Sequence, residues 1–327
     1  MRPEKPVEAV LTCQKYGCGN WTNSGVCLQK NSTNVSILPC VNPLICNTTS
    51  SQCVVPTTPV VPAGWPGEPC SSTSTCTFGS CNSQGRCQGG AVGGPCTKHD
   101  QCDPGLMCNS TGYCAPLLSG GTAGCRSTYD CDYLSVCNKT SVQTNGTCVD
   151  SRSVPLGQMV ADCNNSFSLL CETNACIPTN AQLLLGRCSV ALSSVYNMPV
   201  GCNQTSDCVG TDGTNYYVGT CQCGMNARGS AYCLPFWGDI PGLTLRNTME
   251  LVYGRSDRCN TVRRYTNACF NVTGNLNKMK VATFGYYNYA QFQQNDQCIK
   301  AVFTATYWLN AGLGVQLGTL LAVSSLI

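Results

Sequence analysis

The sequence predicts small disulfide-rich β modules in tandem, with little regular secondary structure, followed by a mixed α/β or helical C-terminal domain. Three observations carry this expectation. The chain has 30 cysteines in 327 residues, a density that marks a disulfide scaffold in a secreted chain. Those cysteines recur in groups of four at similar spacing. After Cys233 the composition changes, and residues 234–327 hold only Cys259, Cys269 and Cys298 among more aromatic and aliphatic side chains.

The first segment, 1–53, is a six-cysteine module (Cys13, Cys18, Cys27, Cys40, Cys46, Cys53), and its second half, "CVNPLICNTTSSQC", reads as a degenerate copy of the unit that follows. Its start, "MRPEKPVEAVLTC", contains no apolar h-region, which fits numbering that begins near a mature terminus. A Pro-rich linker at 54–69 comes next. Its run "VVPTTPVVPAGWPGEP" favours an extended, polyproline-like spacer.

Five repeats then fill 70–233: 70–87 (Cys70, Cys76, Cys81, Cys87), 96–114 (Cys96, Cys102, Cys108, Cys114), 125–148 (Cys125, Cys131, Cys137, Cys148), 163–188 (Cys163, Cys171, Cys176, Cys188) and 202–233 (Cys202, Cys208, Cys221, Cys223, Cys233). The start-to-start spacing grows from 26 residues (70 to 96) to 39 (163 to 202). A unit of this size cannot bury enough apolar surface to offset chain entropy. The copy at 96–114 has only Leu106, Met107 and Tyr113 as sizeable apolar side chains. Two disulfides closing loops of roughly 10–15 residues contribute about 2–4 kcal/mol each, so the cysteines are the core, and "CDPGLMC" and "CNSTGYC" are turns between short strands. Removing one cysteine is expected to unfold its own module and leave distant ones intact. Pairing within a block is not readable from spacing. Parity does suggest a bond between blocks: the five-cysteine block at 202–233 and the three-cysteine block after it are each odd, so they are expected to share one, tying the C-terminal domain to the last repeat.

In the C-terminal segment, "LTLRNTMELVYGRSD" reads as a short helix ending at Gly254. "KMKVATFGYYNYAQF" is strand or buried helix, undecided by periodicity. From Cys298 onward, Cys298, Ala301, Val302, Ala305, Trp308, Leu309 and Gly312 fall on one helical face. The tail 310–327, "NAGLGVQLGTLLAVSSLI", carries no charge. It is either a glycolipid-attachment signal, cleaved near Thr304–Thr306 or Asn310–Gly312, or a retained apolar element packed against a neighbouring subunit.

"GGPCTKHDQCDPGLMCNSTGYC", Gly93 to Cys114, resembles the cysteine-rich units of EB-type and Dickkopf N-terminal-type modules, which occur in extracellular proteins, including surface proteins of protists. The likeness covers residues 66–150 and extends more loosely to 233. It implies an extracellular, disulfide-bonded, non-catalytic module used for spacing, adhesion or assembly.

Ten Asn-x-Ser/Thr sequons add a second extracellular signal: Asn20, Asn31, Asn34, Asn47, Asn109, Asn138, Asn145, Asn164, Asn203 and Asn271 are candidate carriers of N-linked glycans. Charge excludes other classes. Nineteen basic and sixteen acidic residues leave a formal net charge of +3, with no block of like charge, so no nucleic-acid footprint is present. The single histidine, His99, reads as an exposed loop residue, which leaves no triad or histidine-based zinc site. "GTDGTN" at 210–215 reads as a glycine turn rather than a calcium loop. Cys221 and Cys223 read as adjacent cysteines with different partners. Arg263-Arg264 reads as exposed arginines on a domain face rather than as a processing site.

No enzyme, cofactor or metal is therefore expected. The leading reading is an extracellular, N-glycosylated structural protein that self-associates into a filament or cell-surface coat. A glycolipid-anchored adhesin or receptor, attached to the membrane through the tail, is the alternative. A secreted signalling antagonist is the weaker third reading.

Overall fold

The computed structural model describes residues 10–19, 25–41, 44–55, 63–71, 76–139, 145–163, 168–180 and 185–303. The cleavage positions proposed for the tail, the tail itself, and the helical-face residues Ala305, Trp308, Leu309 and Gly312 lie outside them. The architecture is disulfide-rich β modules followed by a helical part. Among the described residues all strands lie before residue 234, and those after it form helices and turns.

One pattern builds every repeat. The third and last cysteines face each other across an antiparallel pair of strands: Cys81 and Cys87 in an isolated bridge, Cys108 and Cys114 between Leu106–Cys108 and Cys114–Pro116, Cys137 and Cys148, Cys176 and Cys188, and Cys221 and Cys233. Residues facing each other across a ladder share one face of the hairpin, so both sulfurs point the same way. Each is then bonded to one of the two cysteines on the incoming segment. The third takes the first and the last takes the second: Cys70–Cys81 and Cys76–Cys87, Cys96–Cys108 and Cys102–Cys114, Cys125–Cys137 and Cys131–Cys148, Cys163–Cys176 and Cys171–Cys188, Cys202–Cys221 and Cys208–Cys233.

The paired cystines are the module core. In the second and third repeats the buried cluster is four cysteines with one partly buried leucine, Leu106 or Leu118. The hairpin turn in "CNSTGYC" closes because Asn109 Oδ1 accepts the amides of Thr111 and Tyr113, while Gly112 takes φ +82°, a conformation that costs a side chain free energy. The fourth repeat adds an apolar cluster to the third, with Val136, Val154, Val160 and Leu170 buried together.

The N-terminal module contains the same unit. Cys46 and Cys53 face each other across a hairpin, and the bonds Cys27–Cys46 and Cys40–Cys53 repeat the interlaced pairing. The degenerate copy therefore begins at Cys27, earlier than the "CVNPLIC" stretch. The remaining two cysteines overturn the parity expectation. Cys13 bonds Cys223 and Cys18 bonds Cys298, so each odd block is completed by the N-terminal module instead of by the other. An even block can surrender two cysteines, and parity alone cannot see that. The last pair is Cys259–Cys269, and no cysteine is free.

The described residues fall into two compact units, and these cut across the linear segments. One draws on Met1–Thr58, Leu192–Leu245 and Val281–Leu313; the other draws on Pro59–Ala191 and Arg246–Lys280. In the first unit, Leu28, Val35 and Ile37 of the N-terminal module pack with Ile299, and Tyr16, Met225, Val302 and Phe303 flank them. Residues 297–303 are helical, but the buried face is Cys298, Ile299, Val302 and Phe303; Ala301 is exposed. The inward stripe is thus rotated from the one predicted.

Besides 297–303, the α-helices among the described residues are α1 (Ile240–Tyr253), α2 (Asn267–Val272) and α3 (Leu276–Tyr287). The first ends one residue before Gly254, as its sequence predicts. The undecided "KMKVATFGYY" stretch is helical because its buried positions Met279, Ala282 and Thr283 recur at helical spacing while Val281 between them is 64% exposed. In the second unit, Gly64 to Glu68 are packed rather than extended: Gly64 bridges Cys76, and Pro66, Gly67 and Glu68 are buried. The end of the predicted linker thus belongs to the first repeat.

Candidate functional site

In the second unit a polar segment, residues 256–266, lies along three repeats and binds each one; we call it the strap. Short helical turns leave acceptor capacity open on their carbonyls. In the turns before Cys102 and Cys131, His99–Gln101 and Thr128–Asp130, the His99 and Thr128 carbonyls each take one amide, from Cys102 and Cys131, and have room for a second donor. Asn260, fully buried, donates from Nδ2 to the carbonyls of His99 (3.0 Å) and Cys102 (2.8 Å). Arg264, also fully buried, does the same one repeat later. Its Nη1 donates to the carbonyls of Cys131 and Asp132, each at 3.0 Å, and its Nη2 to that of Thr128. His99 and Cys102 correspond to Thr128 and Cys131 in the aligned repeats, so two strap residues occupy equivalent sockets.

Further contacts fasten the strap. Thr261 Oγ1 donates to the Tyr129 carbonyl at 2.8 Å. Tyr133 donates its hydroxyl proton to the Cys259 carbonyl at 2.6 Å while accepting the Gly105 amide. The Arg264 guanidinium lies 4.9 Å from the Tyr265 ring, 5.8 Å from Tyr133 and 6.0 Å from Tyr129, an arrangement that offsets part of the cost of burying a charge. Burial pushes all three phenols above the usual tyrosine range. In the first repeat, Arg263 donates to Glu68 at 3.4 Å and sits 5.0 Å from the Trp65 ring. The strap backbone passes so near Gly67 that a Cβ there would collide with the Arg258 carbonyl and with Pro104. Arg263-Arg264 is therefore not an exposed pair, and a processing protease has no access to Arg264.

His99 is not an exposed loop residue either. Its Nδ1 accepts the Cys108 amide at 3.1 Å, and its Nε2 lies 3.4 Å from Asp130 of the next repeat. Arg126 completes the joint, donating to the Cys108 carbonyl at 2.7 Å and lying 3.5 Å from Asp130. Asp130 is itself buried. The sequence signal for these roles is slight, because neither Asn260, Arg264 nor His99 has its partners nearby in the chain.

The remaining predicted sites resolve simply. The groups of three cysteines whose sulfurs lie within 4.8 Å of one another, such as Cys96, Cys102 and Cys114, are interlaced disulfides and offer no thiolate. Cys221 and Cys223 do have different partners, Cys202 and Cys13. In "GTDGTN", Asp212 accepts the amides of Thr214 and Asn215 and the Tyr217 hydroxyl; those bonds, chiefly from Asn215, hold its carboxyl down at about 2. Its oxygens thus close a turn. Of the sequons, Asn31, Asn34, Asn145, Asn203 and Asn271 are exposed and Asn47, Asn109 and Asn138 are partly buried; Asn20 and Asn164 lie outside the described residues. In Asn31, Asn47 and Asn109 the side-chain oxygen accepts the amide two residues on, which turns Nδ2 away from that bond.

No helix among the described residues is long and apolar enough to cross a membrane. All 30 cysteines are paired in 15 disulfides, a content typical of extracellular or secreted proteins. No protein-family model, no curated protein and no solved structure matches this chain.

Proposed function

We propose that the protein is an extracellular, N-glycosylated, non-catalytic structural subunit that self-associates into a filament or cell-surface coat, using EB-like disulfide modules as spacers. The observation that carries this reading lies in the first unit. Strands Ser193–Ser194, Val209–Thr211 and Tyr216–Val218 form a sheet in that order with Tyr216–Val218 at an edge. Phe236 packs behind it, where the absent side chains of Gly210 and Gly219 leave room for its ring. Tyr216 and Val218 share one face of the strand and are 75% and 61% exposed, and Val195 and Tyr196 beside the sheet are 42% and 58% exposed. An apolar edge strand is a template for pairing with another chain, and exposed apolar side chains grouped on one sheet mark association sites.

Mass photometry of secreted full-length protein tests the reading. Concentration-dependent oligomers that a Tyr216→Lys, Val218→Lys double variant reduces to monomer support it. A wild type that stays monomeric into the micromolar range refutes it. The uncharged stretch 310–327 favours the second reading, a glycolipid-anchored adhesin. Mass spectrometry of the C-terminal peptide separates the two: a retained Ile327 supports assembly, and a glycolipid between about 304 and 312 supports anchoring.

A further inference from the structure

The single histidine of the chain stands at the joint between the second and third repeats, and its hydrogen bonds specify its protonation state. Nδ1 accepts the Cys108 amide, so that nitrogen must carry a lone pair. Nε2 then carries the proton and faces Asp130. The imidazole is neutral as built. The same residue is held a second time, since Arg126 donates to the Cys108 carbonyl. Asp130 meanwhile accepts the amides of Arg126 and Ser127 and lies within ion-pair distance of the Arg126 guanidinium. One carboxylate thus serves one cation and a neutral imidazole.

We propose that this joint is an acid-sensitive hinge, opened when the His99 imidazole takes a proton at Nδ1. The added proton converts the acceptor of the Cys108 amide into a donor, so two N–H groups point at each other and that bond is lost. The new imidazolium also competes with Arg126 for Asp130, placing two cations on one buried carboxylate. The charged groups acting on the ring are Asp130 and Arg126 from the third repeat and Asp100 from its own turn. The strap reaches this turn through the uncharged Asn260, and its own buried charge, Arg264, is spent on the carbonyls of the third repeat.

Burial pushes the imidazole below the usual histidine range, Asp130 opposes this, Arg126 adds to it and Asp100 opposes it more weakly. With the folded value depressed, the stabilisation is complete above the unfolded value near 6.5 and is lost as pH falls through the folded value. The array is therefore tied at the neutral pH of extracellular fluid and loosened at this joint in an acidic one. The hinge does not depend on self-association.

Hydrogen exchange on the full-length glycoprotein tests it, comparing pH 7.5 with pH 5 after correction for intrinsic rates. The peptide containing Cys108 should lose protection, by up to about thirtyfold, the limit for one linked proton between an unfolded value near 6.5 and pH 5. His99→Asn keeps an acceptor near the Nδ1 position that does not titrate, and should remove the pH dependence while retaining the protection. NMR titration of the one imidazole in the wild type should give a midpoint below 6.5. A midpoint at or above 6.5, unchanged wild-type protection in acid, or an equal loss in His99→Asn would each overturn the proposal.

Discussion

Replacing Arg264 with alanine should disconnect the strap from the third repeat without disturbing any disulfide. The guanidinium is fully buried and donates to the carbonyls of Thr128, Cys131 and Asp132. Hydrogen bonds from a charged donor contribute about 1.5–3 kcal/mol each, but the terms are not additive, and the desolvated charge itself is costly. Removing the side chain takes away these bonds and opens a cavity, together costing about 3–5 kcal/mol; it leaves the Cys131 carbonyl without a partner, while those of Thr128 and Asp132 keep the amides of Cys131 and Ser135. We therefore expect a loss of about 3–5 kcal/mol, confined to residues 256–266 and the turn at Thr128–Asp130, because Cys125–Cys137 and Cys131–Cys148 hold the repeat closed. Arg264→Lys should recover only part of this, since a single ammonium cannot reproduce the planar fork. Hydrogen exchange on peptides spanning 118–138 and 256–266 of the full chain measures the effect. Protection that changes by less than about 1 kcal/mol in Arg264→Ala would refute the argument that the strap supplies the missing donors.

Removing the Cys96–Cys108 bond by a double serine substitution should cost about 2–4 kcal/mol and raise exchange at 256–266 as well as in the second repeat, because Asn260 draws on the His99 and Cys102 carbonyls; exchange confined to 90–116 would instead support independent modules. Burial pushes the Asp162 carboxyl up to about 6, against hydrogen bonds from Ser168 and the amides of Leu169 and Leu170. Its contribution is therefore present below the unfolded value of 3.8 and lost as pH rises through about 6, by at most about 3 kcal/mol. Asp162→Asn should stabilise the fourth repeat at pH 7.5 but not at pH 3.5, read by exchange at 154–176. Gly210→Ala places a methyl 2.7 Å from the Phe236 ring, so thermal melts should show a loss of about 1–3 kcal/mol from overpacking; an unchanged melt would mean the ring moves freely.

The module pattern was legible from residue order because its causes are local. Four cysteines at short spacing, with Asn109 and Gly112 closing the turn between the last two, define a hairpin whose core is sulfur. The extracellular class followed from the same cysteines, and the helix ending at Gly254 followed from periodicity and a stop residue. Tertiary structure decided what depends on distant groups meeting. The odd cysteines Cys223 and Cys298 pair across separations of 210 and 280 residues, and any even block could have supplied their partners. His99 reads as an exposed loop residue until Asp130 of the next repeat is beside it. Arg264 reads as a surface charge until three carbonyls of the third repeat surround it. Local pattern specifies turns, strands and sulfur positions; the partner of a buried polar group is specified only by the fold, because its stability depends on which unsatisfied donor or acceptor the packed chain brings to it.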